Sequence, residues 1–497
     1  MMDGERKLIG LDLSACRARA VRSPCAAPQP LPLGADGELP LAISLEGRRP
    51  EVGAAGARLC RQAPHLACLN FLPHLGESRQ WSAGRHRLDA AQAMRLVLER
   101  LAAAWGRPEG AVLAAPAYLS DTQLSLLTAL AEKSRLRLLG SVPAPLALAL
   151  AAYAEQPWSG PAILLDADQH ALSLAVVSAE AGRAGLRDLQ ALPELGVRVW
   201  KERLLNGVAD LCIRQSRRDL RDSAPAEQSV YEQLAAAMSA CQRGQTARLT
   251  VQTQRWYQTL LLQPEELAHF CHPLVQKAMA AVRAVRAALE PEGPANVVLL
   301  SASAGRLPGL VAALEEEVEE TVAARAVPEE EDFGEALVED GFTWPAVVHV
   351  LGADAAARAA LDLAGRIQRG ELPPGPLGAA PLPAQQLPDA GPARLHFRGQ
   401  DHLLDSPCFT LGRLPDCDLV FDSAEYPTVS ARHCEIVYDR LAFFLRDWSR
   451  NGTLVNDRPV VRQVALRPGD WIRLGPGGPL LRFLGRAADQ LKLVPTA

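Results

Sequence analysis

The 497-residue chain has no cation excess: 52 Lys and Arg stand against 57 Asp and Glu, for a formal net charge of −5 and a pI of about 6.1. Bulk binding to nucleic acid needs cations that displace phosphate counterions, and this balance argues against it. Arg far outnumbers Lys and Ala is abundant, which reads as genomic base bias. None of the ten cysteines forms a CxxC pair or a zinc-ligand spacing, so the common zinc layouts are excluded. Cys212, Cys241 and Cys434 fall in apolar segments, where a free thiol behaves as a small hydrophobe. A reduced, cytoplasmic protein is expected. Long apolar runs are missing too. The longest, residues 145–153, is about half a membrane span. The start, MMDGERKLIGLDLSACRARAV, lacks the apolar core and cleavage site of a signal peptide. No membrane insertion is expected.

What is present is enough chain for two to four domains. Alternation at residues 7–13 reads as a strand, and residues 41–45 as another. Residues 90–105 carry apolar side chains at helical spacing, and 121–134 read as a helix capped by Ser120 or Asp121. Residues 111–114 and 137–140 read as strands, and the apolar 144–153 as a helix. The pattern restarts after Gly160: strands at 162–166 and 171–178, helices at 197–214 and 227–242, a hairpin at 248–261, a helix at 264–289, a strand at 296–301 and a helix at 309–320. Such alternation is an α/β signature. The similar starts near Leu8 and Ala162 suggest two lobes of related build. Acidic runs at 315–320 and 329–332 read as a solvated helix face followed by a loop. Residues 371–392 are dense in Pro, with Gly, Ala and Gln, and read as a stiff linker between independently folded units.

Beyond it, residues 428–456 read as two alternating strands, 434–438 and 441–447, joined by a tight turn at Asp439-Arg440. Polar loops flank them, Ser430-Ala431-Arg432-His433 and Ser449-Arg450-Asn451-Gly452-Thr453, and a third lies upstream at Gly412-Arg413. Hydroxyl, guanidinium and amide groups on three loop tips make an anion-binding rim. The order Gly412-Arg413, Ser430 with His433, Asn451-Gly452-Thr453 with Asn456, then Gly469-Asp470 and Gly475 resembles the forkhead-associated (FHA) domain, a phosphothreonine reader with an all-β sandwich. The resemblance covers about residues 393–487. It implies that Arg413, Ser430 and Asn451 hold the phosphopeptide, with Arg432 and Arg450 as further cations. It implies structural roles for Gly412, His433, Gly452, Thr453 and Asn456. Phosphothreonine carries about −1.5 to −2 charges and three acceptor oxygens, which suits the planar donor fork of Arg413. Asn451 offers the donor and acceptor needed to grip a peptide main chain. Trp448 and Trp471 read as sandwich core.

Residues 1–370 hold a second likeness. Leu8-Ile9-Gly10-Leu11-Asp12-Leu13, Ala115-Pro116-Ala117-Tyr118-Leu119-Ser120-Asp121-Thr122-Gln123, residues 162–177, Pro264-Glu265-Glu266-Leu267 and Gly305-Arg306-Leu307-Pro308 resemble, in order, the nucleotide-binding domain of the seventy-kilodalton heat-shock chaperones of the DnaK family. The resemblance implies an actin-like two-lobed ATPase fold, with lobe I at about 1–158 and lobe II at about 160–370. The phosphate-binding glycines of that family are replaced here by Ser14-Ala15-Cys16, Asp166-Ala167-Asp168-Gln169-His170 and Ala302-Ser303, and its lysine by Leu72. Phosphates need close backbone approach, hence glycine. Asp12, Ser14, Asp166, Asp168 and Ser303 are therefore read as a vestigial nucleotide site, with Asp12 and Asp166 as strand-end caps and His170 as an exposed turn residue. No catalytic residue, metal or cofactor is expected. Magnesium-ATP is the alternative.

The expected protein is a non-catalytic adaptor whose partner carries phosphothreonine, which implies a serine/threonine kinase. The alternatives are an ATP-binding chaperone-like protein recruited through its FHA domain, and a phosphate-independent FHA interaction module.

Overall fold

The computed structural model describes residues 8–23, 28–34, 37–105, 108–155, 158, 160–180, 182–289, 297–323, 347–383, 393–406, 408–439, 442–460 and 463–485. The N-terminal unit is mixed α/β and is built twice on one plan. In the first lobe, Leu8–Leu13 pairs antiparallel with Arg17–Arg22 and parallel with Gly110–Ala115, which pairs parallel with Leu138–Pro143. In the second, Gly160–Ala167 pairs antiparallel with Leu172–Glu180 and parallel with Val297–Leu300, and the sheet extends to Arg183–Leu192 and Val347–Val350. All six residues of Leu8–Leu13 are buried, as expected of a strand covered on both faces.

The helices follow the apolar spacing. Ala90–Trp105 buries Met94, Val97, Leu98, Leu101 and Trp105. Asp121–Lys133 starts at a capping box between Ser120 and Gln123. The longest apolar run becomes the buried helix Ala144–Glu155. Beside it lies Ala355–Gln368, a helix with no counterpart in the sequence reading. Both share one apolar cluster with strand residues of the two sheets, such as Val112 and Leu164. The fit is close: a Cβ on Gly10 would lie 1.9 Å from the Ala357 carbonyl oxygen. The alanines of Ala355–Gln368 permit this approach. No helix among the described residues is long and apolar enough to cross a membrane.

The linker is corrected over its first half. Gly375–Pro376 adds to the first sheet beside Leu138–Pro143, and Ala379–Pro381 adds to the second beside Arg183–Leu192. Leu377 N–H donates to the Ser141 carbonyl (2.8 Å) and Leu382 N–H to that of Gly182 (2.9 Å). Leu372, Leu377 and Ala380 are buried in the shared cluster. Residues 371–383 are thus a strap across both lobes. Proline is tolerated because both strands lie at sheet edges. The remainder of the expected linker, 384–392, lies outside the described residues, as do residues 329–332 and Arg440 of the expected hairpin turn.

The C-terminal unit is a sandwich of a six-stranded and a five-stranded sheet. The two strands read at residues 434–447 are Arg432–Asp439 and Ala442–Asp447, paired antiparallel. Phe409, Leu411, Ile436, Leu445, Ile472 and Phe483 fill the core. Trp448 is buried, but Trp471 is 45% exposed. Its strand alternates Trp471 out, Ile472 in and Leu474 in, and Arg482 lies over its ring at 5.4 Å. The free thiols behave as expected at Cys212 and Cys434, which are buried; Cys241 is half-buried.

Candidate functional site

Three loops meet at one end of the sandwich. The first follows Cys408–Gly412. Arg413 N–H donates to the carbonyls of Ala431 (2.6 Å) and Ser430 (3.2 Å). A Cβ on Gly412 would lie 2.1 Å from the Ala431 oxygen, so only glycine lets the first loop lie on the second. The second loop is tied to the third: Arg450 N–H donates to Ser430 Oγ at 3.1 Å. Since this hydroxyl accepts from within, its proton can donate outward. Asn451 Nδ2 donates to the Thr428 carbonyl at 2.8 Å, leaving Oδ1 as the acceptor side. Ser430 is 6% exposed, Arg413 is half-buried, and Arg450 and Asn451 are exposed. Arg413, Ser430, Arg450 and Asn451 are brought together.

Arg432 is placed differently. Its guanidinium pairs with Asp416, and a Cβ on Gly160 would lie 3.5 Å from its Nη1. It faces the N-terminal unit as well as its own loop.

The supporting residues lie beneath the rim. His433 is fully buried, and its Nδ1 accepts from Ser430 N–H at 3.0 Å, so the ring proton sits on Nε2. Burial pushes the imidazole down to about 4, with Asp447 and the Gly452 backbone opposing the shift. Gly452 has φ 76°, a conformation that favours glycine. Thr453 is fully buried; its N–H and hydroxyl donate to Asp447 at 3.0 and 2.6 Å. Asp447 also accepts from Ser449 N–H and Oγ–H, at 3.1 and 2.7 Å. The sequence reading missed Asp447, although an Asp two residues before a Ser is an Asx-turn signal. Asn456 stands apart from the rim: it donates to Asp470 (2.8 Å) and accepts from Trp471 N–H (2.9 Å), pinning the turn at Gly469.

The interlobe cleft gathers Asp12, Ser14, Asp166 and Asp168, but not Ser303; Ser301 lines it instead, with Arg17 and Tyr118. Asp12 does not act as a cap: it pairs with Arg17 at 2.8 Å. Asp168 is the cap. One oxygen accepts from His170 and Ala171 N–H (2.8 and 3.0 Å), the other from Ala15 N–H and the Tyr118 hydroxyl (both 2.7 Å). It therefore bridges the lobes. Burial pushes the Asp166 carboxyl up to about 6; a Ser301 hydrogen bond opposes the shift, and Asp12 and Asp168 add to it. His170 is half-buried and packs on the Tyr118 ring at 4.9 Å. The space left is about 20 Å³, room for about one water.

The sequence profile of the FHA domain family matches residues 409–475, a span that holds the whole rim. A search of curated proteins found no match for the chain. Residues 409–475 of the C-terminal sandwich are an FHA domain, which supports a protein-interaction module that takes phosphorylated partners.

Proposed function

We propose that the protein is a phosphothreonine-dependent adaptor. Arg413 contacts the phosphate with its donor fork, Ser430 donates its hydroxyl, Arg450 adds charge, and Asn451 Oδ1 accepts a peptide N–H. The observation that carries this reading is the stitching of three loops into one rim through Ser430, Ala431 and Thr428. Such preorganisation lowers the entropy lost on binding. A serine/threonine kinase supplies the ligand. Screening the full chain against a phosphopeptide library and its unphosphorylated twin tests it. Retention of phosphothreonine peptides alone is expected; equal retention of both sets would favour a phosphate-independent interaction module.

In the same reading the N-terminal unit is an actin-like, DnaK-related pair of lobes that serves as scaffold and not as ATPase. The paired Arg17 and Asp12, and the full set of donors on Asp168, support this. The competing reading is an ATP-binding chaperone-like protein. Its support is three carboxylates, Asp12, Asp166 and Asp168, facing one cleft.

A further inference from the structure

The five-stranded sheet of the FHA sandwich has one face in its own core, through Phe409, Leu411, Cys434, Ile436 and Leu445. The opposite face of an antiparallel sheet is normally solvated. Here it is not. Register places Thr410, Glu435 and Arg446 in one row and Val437 beside Phe444. Of these, Val437 is fully buried, and Glu435, Arg446 and Thr410 are 2%, 6% and 7% exposed. Glu435 and Arg446 form an ion pair at 3.2 Å, and the Cys408 thiol donates to Glu435 at 3.1 Å. A desolvated pair of this kind implies a cover over the sheet. Val437 does not belong to the sandwich core.

The N-terminal unit comes near this sheet at the corner where its lobes join. Tyr153 lies in the last turn of the helix Ala144–Glu155 and is 7% exposed. Its ring meets that of the buried Trp158 at 5.2 Å. Burial pushes the Tyr153 phenol up, and Cys408, Glu435 and Asp418 of the sandwich add to the shift. Gly160 lies next along the chain, against the Arg432 guanidinium. Arg432 is two residues from Ser430, and its partner Asp416 is three from Arg413.

We propose that the corner formed by Tyr153, Trp158 and Gly160 docks on the outer face of the FHA sheet at Val437, Glu435 and Arg432, and thereby holds the phosphopeptide rim in its binding geometry. The proposal rests on the rim being the phosphothreonine site. Docking and peptide binding are then linked. A docked corner restrains the Ser430–Arg432 loop and its tie to Asp416, and undocking returns that freedom to the rim.

Two full-length variants test it from opposite sides: Tyr153→Glu, which sets a carboxylate against Glu435, and Val437→Glu, which buries one under the corner. Each should enlarge the radius of gyration in small-angle scattering, while thermal melts still show folded units. Each should also weaken a phosphopeptide selected on the wild type by roughly five- to tenfold, measured by titration calorimetry. The scattering arm needs no peptide, so it reads docking separately from the rim. Unchanged scattering in both variants overturns the docking. Enlarged scattering with unchanged or tighter peptide binding overturns the link to the rim. Failure of every phosphopeptide on the wild type removes the rim reading, and the link with it.

Discussion

Asn451 and Thr428 sit 23 residues apart, yet the Asn451 side-chain amide donates to the Thr428 carbonyl at 2.8 Å. The bond turns an exposed loop tip into a fixed acceptor beside Ser430, and it fixes which half of the amide faces a ligand.

Arg413→Ala should weaken phosphopeptide binding by about ten- to a hundredfold. A hydrogen bond to an ionised partner contributes about 1.5–3 kcal/mol, which converts to that range. Arg413→Lys should recover little, because an ammonium cannot reproduce the planar fork. Titration calorimetry against one selected peptide checks both, and equal affinities across the three proteins would remove Arg413 from the phosphate site.

Asp447→Ala should lower the melting temperature of the FHA unit, at a cost of about 2–4 kcal/mol, and abolish peptide binding as well. It strips acceptors from Ser449 and Thr453 together, and buried donors left unpaired cost about 1–3 kcal/mol each. Retained stability with lost binding would instead place Asp447 at the ligand.

His433 makes the FHA unit acid-sensitive. Its folded pKa of about 4 lies below the ordinary 6.5, so the unfolded chain binds the proton first. Its contribution is present above pH 6.5 and is lost as the pH falls toward 4, by up to about 3 kcal/mol. Melting curves across this window should slope less steeply for His433→Asn than for wild type; parallel slopes would contradict the assignment.

The cleft carboxylates predict the reverse of a nucleotide site. Asp166→Asn removes a half-buried charge beside Asp12 and Asp168 while keeping an acceptor for Ser301. It should raise the melting temperature, by on the order of 1–2 kcal/mol at neutral pH. Saturating Mg-ATP should not shift the wild-type melt, since a ligand that binds the native state stabilises it. A shift with Mg-ATP that disappears in Asp166→Asn would establish the chaperone-like reading.

The strap across the lobes should resist proteolysis. Elastase should leave residues 371–383 uncut in the native protein and cut there in Leu377→Asp, which places a charge in the shared cluster. Early cleavage of the wild type in that stretch would return it to the linker.

Local pattern settled much of this molecule in advance. Helical spacing marked Ala90–Trp105 and Pro264–Leu289 to the residue, because periodic burial leaves a record in sequence. The FHA domain was legible because its loop residues come in a particular order, and because Gly412 and Gly452 answer local demands of packing and φ. Other features depended on contacts between distant segments. The helix Ala355–Gln368 is built from small residues whose burial is decided by the two sheets around it. Proline at 376 and 381 reads as linker until an open sheet edge is available on each lobe. Arg432 reads as one more rim cation, but Asp416 and Gly160 determine where its charge points. Asp12 and Asp168 look alike in sequence; only the fold assigns one to Arg17 and the other to the backbone of both lobes. A sequence records what each residue can do, and the tertiary structure selects among those capacities by supplying or withholding the partner.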